Sequence, residues 1–206
     1  MSFNFRCRAM SHFFLLCVLL VSMVLPSGAC LAEAQGEEPS VVFSEIGFGG
    51  GYVAGELRAS GEDFHVIPFY LRAGYDISRL VGLSGESSSL QLSFDPFVNY
   101  IDARDSGVEA GLTVFFRYFV PVSRGLQLFA EVGSGPMYLS VETDEQGEAG
   151  FNFLSQFGLG GRTMLSRRVA FDLSYRYRHL SHGGLRDSPN LGLDTFGLFG
   201  GLSLLF

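Results

Sequence analysis

Residues 108–120, VEAGLTVFFRYFV, contain the pattern that decides the fold. Apolar side chains or alanine occupy every second position from Val108 to Val120, and the positions between them include Glu109 and Arg117. Successive side chains of a β-strand point to opposite faces of a sheet, so this alternation predicts a strand with one apolar and one polar face.

The same alternation recurs from residue 42 to the last residue of the sequence. Turn-forming stretches separate eight segments, such as ASGED at 59–63, LSRR at 165–168 and the acidic stretch at 142–148, which we expect to be a solvated loop. An even number of segments, each close to the ~9–11 residues of a membrane-crossing strand, predicts an all-β fold, an eight-stranded antiparallel up-and-down barrel. In the fifth segment the alternation changes phase at 133–136, which predicts a β-bulge. The predicted strands are 42–57, 64–75, 89–101, 107–121, 126–141, 151–164, 169–180 and 193–206.

Alternation alone leaves open which face is inside, since a soluble barrel turns its apolar face inward and a membrane barrel turns it outward. The polar faces carry both signs of charge, which suits an interior ion-pair network, and the apolar last strand ends on Phe206, resembling the terminal aromatic signal of outer-membrane barrels. Because eight strands enclose just enough space for their own side chains, we expect a plugged interior and not a pore. The charged residues assigned to this interior are Arg72, Glu109, Arg117, Glu131, Arg162, Asp172, Arg176 and Arg178.

The first 32 residues have the features of a secretory signal peptide. Arg6 and Arg8 precede an apolar core at 13–25, and small residues follow near a cleavage position at 30–32. The core is shorter than the ~20 residues of a spanning helix, so a cleaved leader is favoured over an N-terminal membrane anchor. Residues 33–41 form a polar lead-in, and the mature domain is the barrel at 42–206.

Composition excludes several classes of site. Cys7, Cys17 and Cys30 all lie in the leader, so the mature chain has no thiol for a disulfide, for thiolate catalysis or for a metal site. The net charge of −7 argues against a nucleic-acid partner.

Three polar residues lie around the last predicted hairpin, on faces that are otherwise apolar. His179 and Ser181 are two residues apart and share a face, and counting from Val169 places that face on the apolar side. Asp194 opens the last strand, also on its apolar side. Consecutive antiparallel strands can bring the three together, and a serine, a histidine and a carboxylate are the groups that acyl transfer needs. If both termini are periplasmic, this end of the barrel lies at the cell surface, where lipopolysaccharide is found.

The segment 179–194 resembles the lipid A 3-O-deacylases of the PagL type. Their signature is His-x-Ser-Asn-x-Gly near the C-terminus, followed by a loop with Pro-Asn and by an acidic residue that opens the last strand. Here the matching residues are HLSHGG at 179–184, then Pro189 and Asn190, then Asp194. The resemblance covers about 30 residues.

This resemblance implies that Ser181 is the nucleophile, His179 the general base and Asp194 the orienting carboxylate. Backbone amides near His182 and Gly184 would form the oxyanion hole, and no metal or cofactor is implied. The sequence departs from the signature at His182, where the family has Asn, and at Asp194, where it has Glu. Aspartate is one methylene shorter, so we expect it to reach His179 less well. The loop is also one residue longer than the family's.

Three functions stay open at this point. The first is an outer-membrane esterase that removes the ester-linked 3-hydroxyacyl chain at position 3 of lipid A, with lipopolysaccharide and outer-membrane lipids as its partners. The second is a non-catalytic barrel that acts as a scaffold or a surface-binding protein. The third is a phospholipase with the same triad. A homodimer is an open alternative in each case.

Overall fold

The computed structural model describes residues 40–57, 59–83 and 87–206, which form one closed barrel of eight antiparallel strands in up-and-down order. Strand β1 pairs with β8 from Glu45 opposite Leu205 to Gly55 opposite Thr195, and this pairing closes the sheet. The predicted leader and residues 33–39 of the lead-in lie outside the described residues. The strands are β1 Val42–Glu56, β2 Asp63–Asp76, β3 Ser89–Asp102, β4 Gly107–Ser123, β5 Leu126–Leu139, β6 Gly150–Met164, β7 Val169–Ser181 and β8 Leu193–Leu205.

All eight predicted strands are confirmed, and each of their ends lies within two residues of the predicted position. A short 3-10 helix, Ser78–Val81, follows β2. Among the described residues, no helix is long and apolar enough to cross a membrane.

The predicted bulge at 133–136 is wrong. Gly133 lies opposite Phe115 of β4 and the pairing of 133–136 with β6 is continuous, so no residue is inserted there. Inward-facing residues instead change in character along the strand: Glu131 is charged, whereas Met137 is apolar. The phase change in the sequence therefore marks a change in the barrel interior and not an irregular backbone.

One half of the interior is an ion-paired network. Arg117 is fully buried and donates to Glu131 at 3.1 Å and to Asp172 at 2.8 Å. Arg162 reaches Asp172 and Glu45, each at 2.7 Å. Paired charges fill the space that a pore would need, so the predicted polar plug is confirmed in this half. The positive and negative charges that the strands bury in the barrel interior are equal in number. They are Arg72, Arg117, Arg162, Arg176 and Arg178 on one side and Glu45, Asp95, Glu109, Glu131 and Asp172 on the other.

The other half of the interior holds a large apolar cluster beside the buried Arg178–Glu109 ion pair, and the sequence pattern did not predict this cluster. Leu180 near the end of β7 and Leu193 at the start of β8 both point inward, and each is 2% exposed. They join a cluster that closes the barrel at the end where β7 turns into β8. The other members of this apolar plug are Val53, Leu57, Phe64, Val66, Tyr70, Phe97, Ile101, Met137, Leu139, Val141, Leu154 and Phe199.

The outer wall is a band of exposed apolar and aromatic side chains. A charged interior inside an apolar wall is the arrangement of a membrane barrel, and it excludes the soluble alternative. The band includes Phe48, Tyr52, Ile67, Phe69, Tyr100, Phe116, Tyr118, Val132, Tyr138, Phe157, Leu159, Leu173, Tyr175, Phe196 and Leu198.

Candidate active site

A histidine–aspartate pair stands on the lipid-facing wall at the junction of β7 and β8. His179 and Asp194 are direct cross-strand partners, and both side chains point outward. His179 Nδ1 lies 2.7 Å from Asp194 Oδ1, so the expectation that the shorter aspartate reaches His179 less well is wrong. A carboxylate on Nδ1 orients the imidazole and leaves Nε2 as the nitrogen that can take a proton.

Tyr177 adds a fourth polar group that the sequence analysis missed. Its hydroxyl donates to the same Asp194 oxygen at 2.6 Å, and its ring contacts Phe196. The carboxylate is therefore fixed from two sides, by the tyrosine and by His179. Residue parity already places Tyr177 on the face of His179, and that was the signal which could have found it.

Ser181 lies next to His179 on the same face of β7 and is half-buried. Its cross-strand partner is Phe153 of β6. Within the described part of the chain, no hydrogen bond joins Ser181 Oγ to His179. Residues two apart on a strand are separated by ~6.7 Å along the chain, and the contact between nucleophile and base often tightens only when substrate binds.

Gly192 packs directly against the base. Its φ is +76°, and a Cβ added there would lie 2.6 Å from His179 Cε1. Only glycine combines this left-handed backbone with so close an approach to the imidazole. The neighbouring Leu191 N–H donates to the backbone oxygen of Glu145 at 2.9 Å, which ties the loop 182–192 to the loop 140–149.

The two predicted oxyanion donors have different environments. The His182 side chain is buried, on the opposite face from His179, with Nε2 2.9 Å from the Pro189 carbonyl oxygen. Its backbone N–H donates to Asn190 Oδ1 at 3.1 Å. Gly184 has a φ of +76°, and its N–H has no acceptor among the residues that the structure describes. Of the two amides, Gly184 is the one open to a ligand.

The acidic stretch at 142–148 was expected to be a solvated loop, and for part of it this is wrong. Glu145 and Gln146 are fully buried. One carboxylate oxygen of Glu145 accepts the Ala59 N–H at 2.9 Å, and the Gln146 side chain donates to the Leu180 carbonyl oxygen at 3.4 Å. The loop therefore supports the end of β7 from inside. Among the described residues, no group of three or more His, Cys, Asp or Glu could hold a metal ion.

Residues 69–203 match the family described as "Lipid A 3-O-deacylase (PagL)", and this span includes every residue of the site. The chain belongs to the PagL family. Solved structures of other proteins share its fold, including the two that follow. The outer membrane enzyme PagL is 16% identical, with 76% of this chain and 97% of that chain covered and a TM-score of 0.50. Neisserial surface protein A is 14% identical, with coverage of 80% and 97% and a TM-score of 0.55. No curated protein matches the chain at a significant level.

Membership of the PagL family confirms the resemblance seen at 179–194 and, with the apolar wall, makes this chain an outer-membrane barrel. At the family's Asn position, this chain has the buried His182, which packs into the loop. At the family's Glu position, it has Asp194, whose direct register with His179 makes the shorter side chain sufficient.

A polar row continues from the site around the wall of this PagL family member. Ser155 of β6 lies opposite His179, and Ser134 of β5 lies opposite Ser155. Their hydroxyl oxygens are 2.9 Å apart, and both residues are exposed; we call them the hydroxyl pair. A surface groove of ≈570 Å³ surrounds them. Its lining includes Val114, Phe116, Val132, Phe157 and Tyr177.

Proposed function

We propose that this protein is an outer-membrane esterase that removes the ester-linked 3-hydroxyacyl chain from position 3 of lipid A. Membership of the lipid A 3-O-deacylase family supports the substrate. The observation that carries the proposal is the His179–Asp194 pair at 2.7 Å, with Ser181 beside it on the lipid-facing wall. A cluster of polar groups on a largely apolar, lipid-facing wall is costly to keep unless it serves a reaction.

In the proposed reaction, Ser181 Oγ attacks the ester carbonyl carbon while His179 Nε2 takes the hydroxyl proton. Asp194 holds the imidazole at Nδ1 and stabilises the imidazolium that forms. The Gly184 N–H donates to the oxyanion. The imidazolium then gives its proton to the leaving sugar oxygen, which frees the sugar hydroxyl and leaves an acyl-serine. Water, activated by His179, releases the fatty acid and restores the serine.

Substrate access follows from the face on which the site lies. Tyr177, His179 and Asp194 all project from the outer wall, so a lipid that diffuses laterally in the membrane meets them without entering the barrel. The apolar plug closes the interior at the same level, and this supports catalysis outside the barrel. An acyl chain can remain among the apolar side chains of the wall during the reaction.

Mass spectrometry of lipid A, after incubation of lipopolysaccharide with the purified protein, tests the proposal. The wild type should release one 3-hydroxyacyl chain, and Ser181→Ala and His179→Ala should each lower the rate by at least about 10³-fold. Because nucleophile and base act as a unit, the double variant should be scarcely slower than either single one. Slow migration of unheated samples in detergent gels reports misfolding and serves as the control.

Other outcomes separate the remaining functions. Deacylation by Ser181→Ala at the wild-type rate contradicts the proposed mechanism. Unchanged lipid A with newly formed lysophospholipid indicates a phospholipase that uses the same residues. Lipid A and phospholipid both left intact by a folded wild type indicate a scaffold or a binding protein.

A further inference from the structure

We infer that the hydroxyl pair, Ser134 and Ser155, is a binding subsite for a hydroxyl group on the acyl chain of the substrate, close to the scissile ester. The inference rests on the proposed function and adds the residues that select a hydroxylated chain over a plain one. We also assign the surrounding groove as the binding site of that acyl chain.

The first argument is register. Ser134, Ser155, His179 and Asp194 are successive cross-strand partners on β5, β6, β7 and β8, so four neighbouring strands each present an outward polar side chain in one cross-strand row. Direct cross-strand neighbours have Cβ atoms about 4.5–5.5 Å apart. The hydroxyl pair is therefore continuous with the reacting groups along the hydrogen-bonding direction of the sheet.

The second argument is reach. Ser181 lies opposite Phe153, so Ser155, two residues further along β6, is its diagonal neighbour. Diagonal neighbours are about 7–8 Å apart. The oxygen of a 3-hydroxyl group is separated from the carbonyl carbon by two carbon–carbon bonds and one carbon–oxygen bond. When Ser181 attacks that carbonyl, the chain and one hydrogen bond together span the distance to the hydroxyl pair.

The third argument is a count of hydrogen bonds. Each serine hydroxyl supplies one donor and two acceptor lone pairs. The contact between Ser134 Oγ and Ser155 Oγ, at 2.9 Å, uses one donor and one lone pair. One O–H and three lone pairs remain, on exposed residues in an apolar wall, where an unsatisfied donor is costly. A hydroxyl group on a ligand both donates and accepts hydrogen bonds, so it can pair with the free O–H and with a free lone pair of the two serines.

The fourth argument is the groove around the pair. The groove is lined by outward side chains of β4 to β7. One of them is Tyr177, whose hydroxyl donates a hydrogen bond to Asp194. A chain attached to an ester at Ser181 can run along the wall past Ser155 and lie on Phe157 and Val132. The apolar lining excludes a charged or strongly hydrated occupant.

The experiment compares two glucosamine esters of equal chain length in detergent micelles, one with a 3-hydroxyacyl chain and the other with a plain acyl chain. The measured quantity is the ratio of kcat/KM for the two esters. The wild type should favour the hydroxylated ester about tenfold or more, and Ser134→Ala/Ser155→Ala should bring the ratio close to one. Thr163→Ala is the matched control, because Thr163 is a hydroxyl residue on the same outer face of β6, roughly 26 Å from Ser155.

An unchanged ratio in the double variant overturns the inference, as does an equal loss in Thr163→Ala. A wild type that cleaves both esters equally through Ser181 also overturns it while the proposed function stands. If the wild type cleaves neither ester nor lipid A, the proposed function fails and the inference falls with it.

Discussion

Gly192→Ala is the substitution for which the structure gives the clearest magnitude. The new methyl group would stand 2.6 Å from His179 Cε1, whereas ordinary contact begins at 3.4 Å. The ring or the loop must therefore move by about 0.8 Å. The imidazole ring is hydrogen-bonded to Asp194 at 2.7 Å, and the Leu191 N–H holds the loop to the Glu145 backbone carbonyl oxygen. Neither the ring nor the loop can therefore move without losing a hydrogen bond.

Two separate costs follow. A non-glycine residue in the left-handed region costs about 1–2 kcal/mol of stability. Misplacement of a reacting group by about 1 Å costs up to 10²-fold in rate. We therefore expect Gly192→Ala to fold, with a modest loss of stability, and to lower kcat for lipid A deacylation by about 10- to 100-fold.

Gly61→Ala isolates the first cost. Gly61 has a φ of +71° in the loop between β1 and β2, and the nearest atom to an added Cβ is 3.6 Å away. Both variants should still fold, and Gly192→Ala should unfold at the same or a somewhat lower temperature than Gly61→Ala in a heated detergent-gel series, but only Gly192→Ala should lose activity in the mass-spectrometric assay. Equal activity of the two variants would refute the role given to the contact between Gly192 and His179.

Three further predictions concern the carboxylate and the interior. Tyr177→Phe keeps the ring but removes the hydrogen bond to Asp194, so kcat should fall about tenfold in the deacylation assay; an unchanged kcat shows that the phenol has no positioning role. Asp194→Glu adds a methylene where both hydrogen bonds are already 2.7 Å or shorter, so it should also lower kcat, and a gain in activity contradicts the geometry. Arg117→Leu removes one of the guanidinium partners of both Glu131 and Asp172 and leaves one buried negative charge uncompensated, so it should cost about 3–5 kcal/mol in urea unfolding. Arg104→Leu, which removes an exposed ion pair, should cost at most about 1 kcal/mol, and equal losses contradict the buried network.

The barrel was predictable because its signal is local and repeated. Period-2 alternation depends only on neighbouring residues, and eight repetitions identify strands, faces and connectivity together. The same reasoning misread residues 133–136, because it assumed that the interior is polar throughout. Met137 and Leu139 point inward and are apolar, and only the closed barrel shows that they meet Leu154 and Leu180 from other strands.

The part of the site that follows from side-chain alternation and strand order was predictable. These two rules place His179, Ser181 and Asp194 on one face of adjacent strands, as the structure has them. They do not give loop contacts. The packing of Gly192 on the imidazole and the burial of Glu145 depend on how two loops far apart in sequence fold over one another. The charge of the acidic stretch predicted exposure to solvent. The burial of Glu145 was not predictable, because the group that its carboxylate binds, the Ala59 N–H, is 86 residues away in the sequence.

The apolar plug explains why catalytic residues can be placed on a wall that faces lipid. Such side chains have little packing around them on the membrane side, so their positions depend on the backbone that carries them. Leu180 lies between His179 and Ser181 and is buried in the plug, and Leu193 is the buried neighbour of Asp194. Because side chains alternate across a strand, burial of these two leucines fixes the outward direction of all three reacting groups. Close packing on the inside thus replaces the enclosed pocket with which soluble esterases orient the same groups.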